Sequence, residues 1–398
     1  MTEFPELLNK FIEQKNIHIY SMAKYCGLDR STLYKIIKGN RRPPSASVRD
    51  KMACFMHLTP DETRQFEQAW EISFTGKLTY CRRKSTEDFL LNFSDGFSDM
   101  PVKKSYFSKE LPADSPCIAF SEKDSFPAYL HAMLKKESHS TGGRMGFLIQ
   151  PDCRFLFHLL SGPEFFNSTV RIDHIFCLDQ TEQLSETDEY CHINYLRQLL
   201  LPFKNGLDYH PYCFYDNIRT HFSNLNLFPV LILTEGSALV STSDCTRGIL
   251  YQDPATVKMM WKLFDTYQKS CIPVLRQSQK SFDKLPWECT PSYFAADKSF
   301  PCFFTKPALE SLGRLDSLKA EALKQYIPAD FRLLKGALAE ASGSFHLYAE
   351  NNVLYLIFDD IRNTPIRLSL HEPGLLSAFE DYLTHIPAKF CQDSFSKC

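Results

Sequence analysis

Gly27 stands between two short runs of helical apolar spacing and limits what the first part of the chain can fold into. The run before it, from Ile19, ends at the glycine; the run after it opens with Asp29, whose carboxylate can accept from the free amides of a new helix. On that second helix Leu33, Ile36 and Ile37 share one face and predict burial. Arg30, Ser31, Tyr34, Lys35 and Lys38 are left outside. Gly39 ends the helix, and Asn40, Arg41, Arg42, Pro43 and Pro44 make a stiff basic exit suited to phosphate.

Neighbouring residues supply the rest of a helical bundle. Phe4 to Gln14 is predicted as a first helix with Leu7, Leu8, Phe11 and Ile12 as its stripe. Ser47 is expected to cap a fourth, whose face is Val48, Met52, Phe55 and Met56. A fifth begins at Thr59-Pro60-Asp61-Glu62, with capping-box spacing and proline at the first helical position. Phe66, Ala69 and Trp70 form its apolar side, and Trp70 is expected in the core or against another subunit.

With these residues in view, positions 4 to 75 resemble the XRE family, the phage repressor and Cro type of helix-turn-helix. Met22-Ala23 stands where the family has Leu-Ala, Gly27-Leu28 at its turn, Arg30-Ser31-Thr32-Leu33 at the start of its recognition helix, and Gly39 at its stop. Where the family often has Gln, three residues before the Leu-Ala pair, this chain has Ile19. The resemblance implies a double-stranded DNA operator as partner and a homodimer reading two half-sites about one helical turn apart. Arg30, Ser31 and Lys35 are the expected base contacts, Thr32 and Tyr34 are expected on bases or phosphates, and Lys38, Asn40, Arg41 and Arg42 are expected on phosphates.

Charge separates this segment from the rest. Residues 1–84 carry 15 Lys+Arg against 9 Asp+Glu, whereas the remainder carries 30 against 38. The basic excess sits where nucleic acid would be held, and the acidic remainder would be repelled by phosphate. The length of 398 residues allows two or three domains, and 44% hydrophobic residues are enough for each to have a core. No apolar run approaches the roughly 20 residues of a membrane span, and the first residues lack a signal-peptide pattern, so a cytoplasmic protein is expected. None of the 14 cysteines forms a Cys-x-x-Cys pair, which predicts reduced, mostly buried thiols.

The expected layout is multidomain: an all-α bundle over 1–75, a connecting segment over 76–115, a mixed α/β sensor or dimerisation domain over 116–280 and a second α/β unit over 281–398. Arg82-Arg83-Lys84 reads as a solvated linker face, and Asp95 to Pro116, with Gly96, Pro101 and Pro112, as the boundary. Gly146–Gln150, Phe155–Leu160 and Val170–Leu178 read as strands, and Tyr190–Leu201 as a helix. Residues 228–273 read as a meander of three strands, then a helix opened by Asp253-Pro254 and carrying Val257, Met260, Trp261 and Phe264. Residues 345–387 repeat that order: a hairpin around Asn351-Asn352, a strand, then Glu372-Pro373 opening a helix that ends near Ile386-Pro387. The repetition suggests an internally duplicated sensor, with chance similarity as the alternative. The first block also resembles a non-catalytic sensor region of the phospholipase D-like fold; the catalytic form needs His-x-Lys, which is absent from this sequence.

Other chemistry finds little support in the residues. His174 with Cys177 and Cys191 with His192 are local pairs without a second pair at metal-finger spacing. His210 and His221 read as satisfied histidines, and residues 141–146 place glycines before a strand rather than after one, unlike a nucleotide-binding loop. No catalytic residues, metal or cofactor are expected. The reading is a sequence-specific transcription regulator, not an enzyme, whose C-terminal region senses a small-molecule or peptide effector, dimerises, or both. The alternatives are an enzyme with a DNA-binding appendage and an antitoxin-like interaction module.

Overall fold

The computed structural model describes residues 3–41, 45–92, 111, 115–162, 165, 168–179, 184, 189–218, 226–277, 303–304, 332–334, 345–350, 353–385 and 391–393. The chain divides into two compact units, the first made chiefly of residues up to Lys84 and the second of those from Ser85 onward.

The first unit is all α: α1 (Glu3–Gln14), α2 (Ile19–Cys26), α3 (Arg30–Ile37), α4 (Ala46–Phe55) and α5 (Pro60–Thr75). The division between units falls inside α6 (Lys77–Leu91). Phe4, Leu8 and Phe11 of α1, Met22 of α2, Leu33 and Ile36 of α3, Met52 of α4 and Phe66 of α5 form one buried cluster. Removing each large side chain from water contributes about 1.5–3 kcal/mol, which is what sets five short helices in one arrangement. The capping box of α5 is formed as expected: Thr59 Oγ1 accepts from the Glu62 amide and Glu62 Oε2 accepts from the Thr59 amide at 2.7 Å. Trp70 packs against this core, with the Arg49 guanidinium 4.8 Å from its ring.

One local expectation is corrected. The fourth helix starts at Ala46 behind Ser45, not at a Ser47 cap. Residues 77–91, placed in the connecting segment, are helical, and the buried stripe of α6 includes Ser85 and Thr86 beside Phe89 and Leu90, polar residues that hide the helical period. Most of Asp95 to Pro116 lies outside the described residues.

The second unit is mixed α/β. Its larger sheet contains β1 (Cys117–Phe120), β2 (Arg144–Leu148), β3 (Arg171–Asp179), β4 (Asp208–Asp216), β5 (Val230–Leu233), β6 (Ala238–Ser241), β7 (Gly248–Tyr251) and β8 (Ile272–Pro273). Their order across the sheet is β1-β7-β6-β5-β2-β3-β4-β8. β2, β3 and β4 are parallel and joined through α8 (Arg154–Leu160) and α9 (Cys191–Lys204), while β5, β6 and β7 form the expected antiparallel meander. α7 (Ser125–Ser138) joins β1 to β2, and α10 (Pro254–Gln268) follows β7. Residues 155–160, expected as a strand, belong to α8: Leu156, Phe157, Leu159 and Leu160 are the buried set, a helical spacing that a short apolar run does not disclose.

Buried polar groups explain how α10 and β3 are fixed. Gly146 lets the Trp261 ring of α10 lie on β2, since a Cβ there would stand 3.0 Å from it. Arg144 stacks on the same indole at 4.5 Å and reaches Asp173 at 2.8 Å and Asp265 at 2.8 Å. Burial opposes ionisation of Asp173, but Arg171 and Arg144 outweigh it and hold the carboxyl below its ordinary range. His174 is enclosed: its Nε2 lies 2.8 Å from the Ile149 carbonyl, which can only accept, so Nδ1 accepts from the Tyr209 hydroxyl. Burial pushes its pKa down to about 4. Both ring nitrogens are thus occupied, and Cys177, an odd number of residues away along β3, lies on the opposite face of the strand.

A second sheet has the order β10-β12-β13-β14-β9, all antiparallel, from β9 (Leu275–Gln277), β10 (Phe303–Phe304), β12 (Phe345–Glu350), β13 (Val353–Asp359) and β14 (Pro365–Leu370). β11 (Arg332–Leu334) pairs with β15 (Cys391–Asp393). Val274 connects the two larger sheets: its amide donates to Pro211 and its carbonyl accepts from His371 at 3.0 Å. The final described helix is α11 (Pro373–His385). The hairpin register pairs Glu350 with Val353; Asn351, Asn352, Ile386 and Pro387 lie outside the described residues.

The blocks ending in α10 and α11 share three antiparallel strands, an acidic residue and a first-turn proline. Their junctions differ in environment. Asp253 is partly exposed and accepts from the Thr256 amide, whereas Glu372 is fully buried and accepts from Gly374, Leu375, His192 and Tyr215.

Candidate nucleic-acid interface

Gly27 turns the chain between α2 and α3 with φ 72°, a left-handed conformation in which a Cβ is penalised. Asp29 then caps α3: one carboxylate oxygen accepts from the Thr32 amide at 2.7 Å and the other from the Thr32 hydroxyl at 2.6 Å. These bonds, the Thr32 hydroxyl first and then its amide, lower the Asp29 pKa to about 2. At the other end, Gly39 takes φ 73°, and the amides of Asn40 and Arg41 both donate to the Lys35 carbonyl. Asn9 of α1 donates to the Ile37 carbonyl at 3.1 Å, tying the end of α3 to the bundle.

The framework leaves one polar face of α3 in solvent. Arg30, Ser31, Lys35 and Lys38 are exposed, as are Asn40 and Arg41 beyond the helix. Tyr34 is half-buried, with the Arg30 guanidinium 5.4 Å from its ring centre, so it supports Arg30 along the helix. Thr32 is placed differently from the rest of the expected contact set. Its side chain is buried, donates to Asp29 and accepts from Arg41 Nη1 at 2.9 Å. That geometry makes it a bracket under the recognition face. Arg42 lies outside the described residues.

The outer side of α2 adds residues that the reading of α3 alone passes over. Tyr20 and Lys24, one helical turn apart, are both exposed. Tyr25 is exposed too, but its ring packs 5.3 Å from Phe55 and its hydroxyl donates to Cys54. Ile19 packs against the core, so the position where the XRE family often has Gln is used here for packing. The signal for Lys24 was its spacing from Tyr20, which a search confined to the second helix does not weigh.

Two helices joined by a left-handed glycine, the second capped and basic outside, define the motif. Residues 8–62 match the helix-turn-helix family. The match ends within the first turn of α5, so this helix-turn-helix includes most of the five-helix core. No curated protein matches the chain. Among solved structures, it is similar to TrmBL2, an archaeal chromatin protein described as showing a novel mode of DNA binding, at 10% identity and a TM-score of 0.27 over 68% of this chain and 99% of that one. It is also similar to a polyphosphate kinase from Porphyromonas gingivalis, at 12% identity and a TM-score of 0.27, covering 70% of this chain and 52% of that one. At these scores the alignments establish no common fold. No helix among the described residues is long and apolar enough to cross a membrane.

Proposed function

We propose that this protein is a sequence-specific, double-stranded-DNA-binding transcription regulator, acting as a homodimer and without enzymatic activity of its own. The observation that carries the reading is the exposed face of α3 in a helix-turn-helix: Arg30, Ser31, Lys35 and Lys38 project from a helix whose opposite side is locked into a core. Arg30 and Lys35 suit the O6 and N7 acceptors of guanine in a major groove, while Lys38, Asn40 and Arg41 suit phosphates. A single short recognition helix reads few bases, and two copies on adjacent half-sites extend the site. The mixed α/β unit then supplies dimerisation, effector sensing or both, and the protein works in the cytoplasm.

The test is selection of bound sequences from a random DNA pool with the full chain, followed by Arg30→Ala on the selected site. Loss of about 1–3 kcal/mol on that site with relaxed preference at one base position is the expected result. Unchanged binding by Arg30→Ala would refute the assignment of α3 as the reading helix.

A further inference from the structure

α10 turns an apolar row to solvent. Its inner side is accounted for: Val257 and Phe264 are buried against the larger sheet, and Met260 and Trp261 pack beside them. Met259, Leu263 and Tyr267, each one turn from the next, are instead exposed by 47%, 48% and 61%. Single exposed apolar side chains are ordinary on a folded protein, but three in line on one helix make a contiguous strip. From Met259 to Tyr267 the row runs about 12 Å along the helix axis. Its residue types suit contact: Met supplies a soft, adaptable thioether and Tyr a large ring with a polar tip.

The charge beside the row is of one sign. Lys258, Lys262 and Lys269 are exposed along one border, Lys258 and Lys262 immediately preceding Met259 and Leu263 in the chain. None of the three forms an ion pair among the described residues. The one acidic residue within α10, Asp265, is already held by Arg144 at 2.8 Å. The face therefore lacks the negative charge that would make it complementary to itself. Two α10 helices packed antiparallel about Leu263 would bring Lys258 of one copy near Lys269 of the other, and a parallel pair would leave the lysines without a counter-charge. Nucleic acid would engage the lysines but leave the apolar row in water.

We propose that this face of α10 is a docking site for an amphipathic helix of a partner protein. The partner lays apolar residues at one-turn spacing along Met259, Leu263 and Tyr267, and sets an acidic border against Lys258, Lys262 and Lys269. The row supplies the apolar contact, while the lysines select the partner by charge and speed the encounter. α10 belongs to the second unit and the reading helix α3 to the first, so the proposal stands apart from the assignment of α3.

The experiment uses the full chain and two labelled synthetic helical peptides. Both carry leucines at i, i+4 and i+8; they differ only in their border, glutamate in one and lysine in the other. Fluorescence anisotropy should show the glutamate-bordered peptide binding more tightly by about tenfold, the scale of three exposed ion pairs acting together, with the gap closing as salt is raised. Leu263→Asp should abolish binding of that peptide, and Lys258→Glu with Lys262→Glu should reverse the preference. These positions are exposed, so the substitutions leave the core intact. A photo-crosslinking side chain introduced at position 259 should capture the peptide. Equal affinity for the two peptides, or binding of neither, would overturn the proposal. So would conversion of a dimer to a monomer by Leu263→Asp, which would assign the face to a second copy of the chain.

Discussion

Arg41 Nη1 donates to Thr32 Oγ1 at 2.9 Å, and the same hydroxyl donates to Asp29. A carboxylate, a hydroxyl and a guanidinium thereby join the start of the recognition helix to the basic segment after it. The relationship turns Thr32 from an expected DNA contact into the part that sets where Arg41 stands. Thr32→Val keeps the shape and removes both bonds. It should destabilise the helical unit by about 1–2 kcal/mol in urea unfolding followed by amide protection of Leu33 and Ile36. Operator affinity should fall with it, although the substituted side chain faces inward.

The Asp29 cap has a definite acid dependence. Its pKa of about 2 in the folded state is below the ordinary 3.8, so the unfolded chain binds the proton first on acidification. Its contribution is therefore fully present above about pH 4 and is lost as pH falls towards 2. Hydrogen exchange at the α3 amides should accelerate over that range in the parent chain. Asp29→Asn should remove this part of the pH dependence, and an unchanged profile would show that the cap does not control it.

Phosphate contact is separable from base reading. Lys38 is exposed at the end of α3, where its charge faces away from the core. Lys38→Gln should weaken binding to all DNA sequences alike and reduce the slope of log affinity against log salt by about 1, read by fluorescence anisotropy across a salt series. A change confined to one base position would instead make Lys38 a base reader.

In the second unit, Gly374 is required by contact rather than by its backbone angle. A Cβ there would stand 2.4 Å from His192 Nδ1, the atom that lies 3.2 Å from Glu372 Oε2. Burial favours the protonated form of Glu372, but hydrogen bonds and charge from His192, with Tyr215 and the Gly374 amide, outweigh it and keep the carboxyl below its usual range. Gly374→Ala should push the imidazole away and cost about 1–3 kcal/mol by overpacking, measured as a lower urea midpoint for the second unit. Glu372→Ala should cost about 3 kcal/mol or more, because several buried donors lose their acceptor together.

Much of the first unit was legible because its determinants are local. Leu33, Ile36 and Ile37 show a helical face, Gly27 marks a left-handed turn, and Thr59 with Glu62 forms a reciprocal cap, each over a few residues. The meander before Asp253 was legible for the same reason, since strand alternation and a first-turn proline are short-range signals. Leu156 to Leu160 gave an apolar run without a decisive period and formed a helix where a strand was expected. The Arg144–Asp173–Asp265 network and the enclosure of His174 have no sequence signature, because their partners are brought together only when the sheet forms.

By itself, then, the sequence determined a helix-turn-helix with a basic outer face, since helix period, cap and turn are written into neighbouring residues. Tertiary structure decided which members of that face are free. Thr32 carries a hydroxyl at a plausible contact position, yet burial and the competing claims of Asp29 and Arg41 commit it to the scaffold. Lys35 and Lys38, with long charged side chains that cannot lose water cheaply, stay outside.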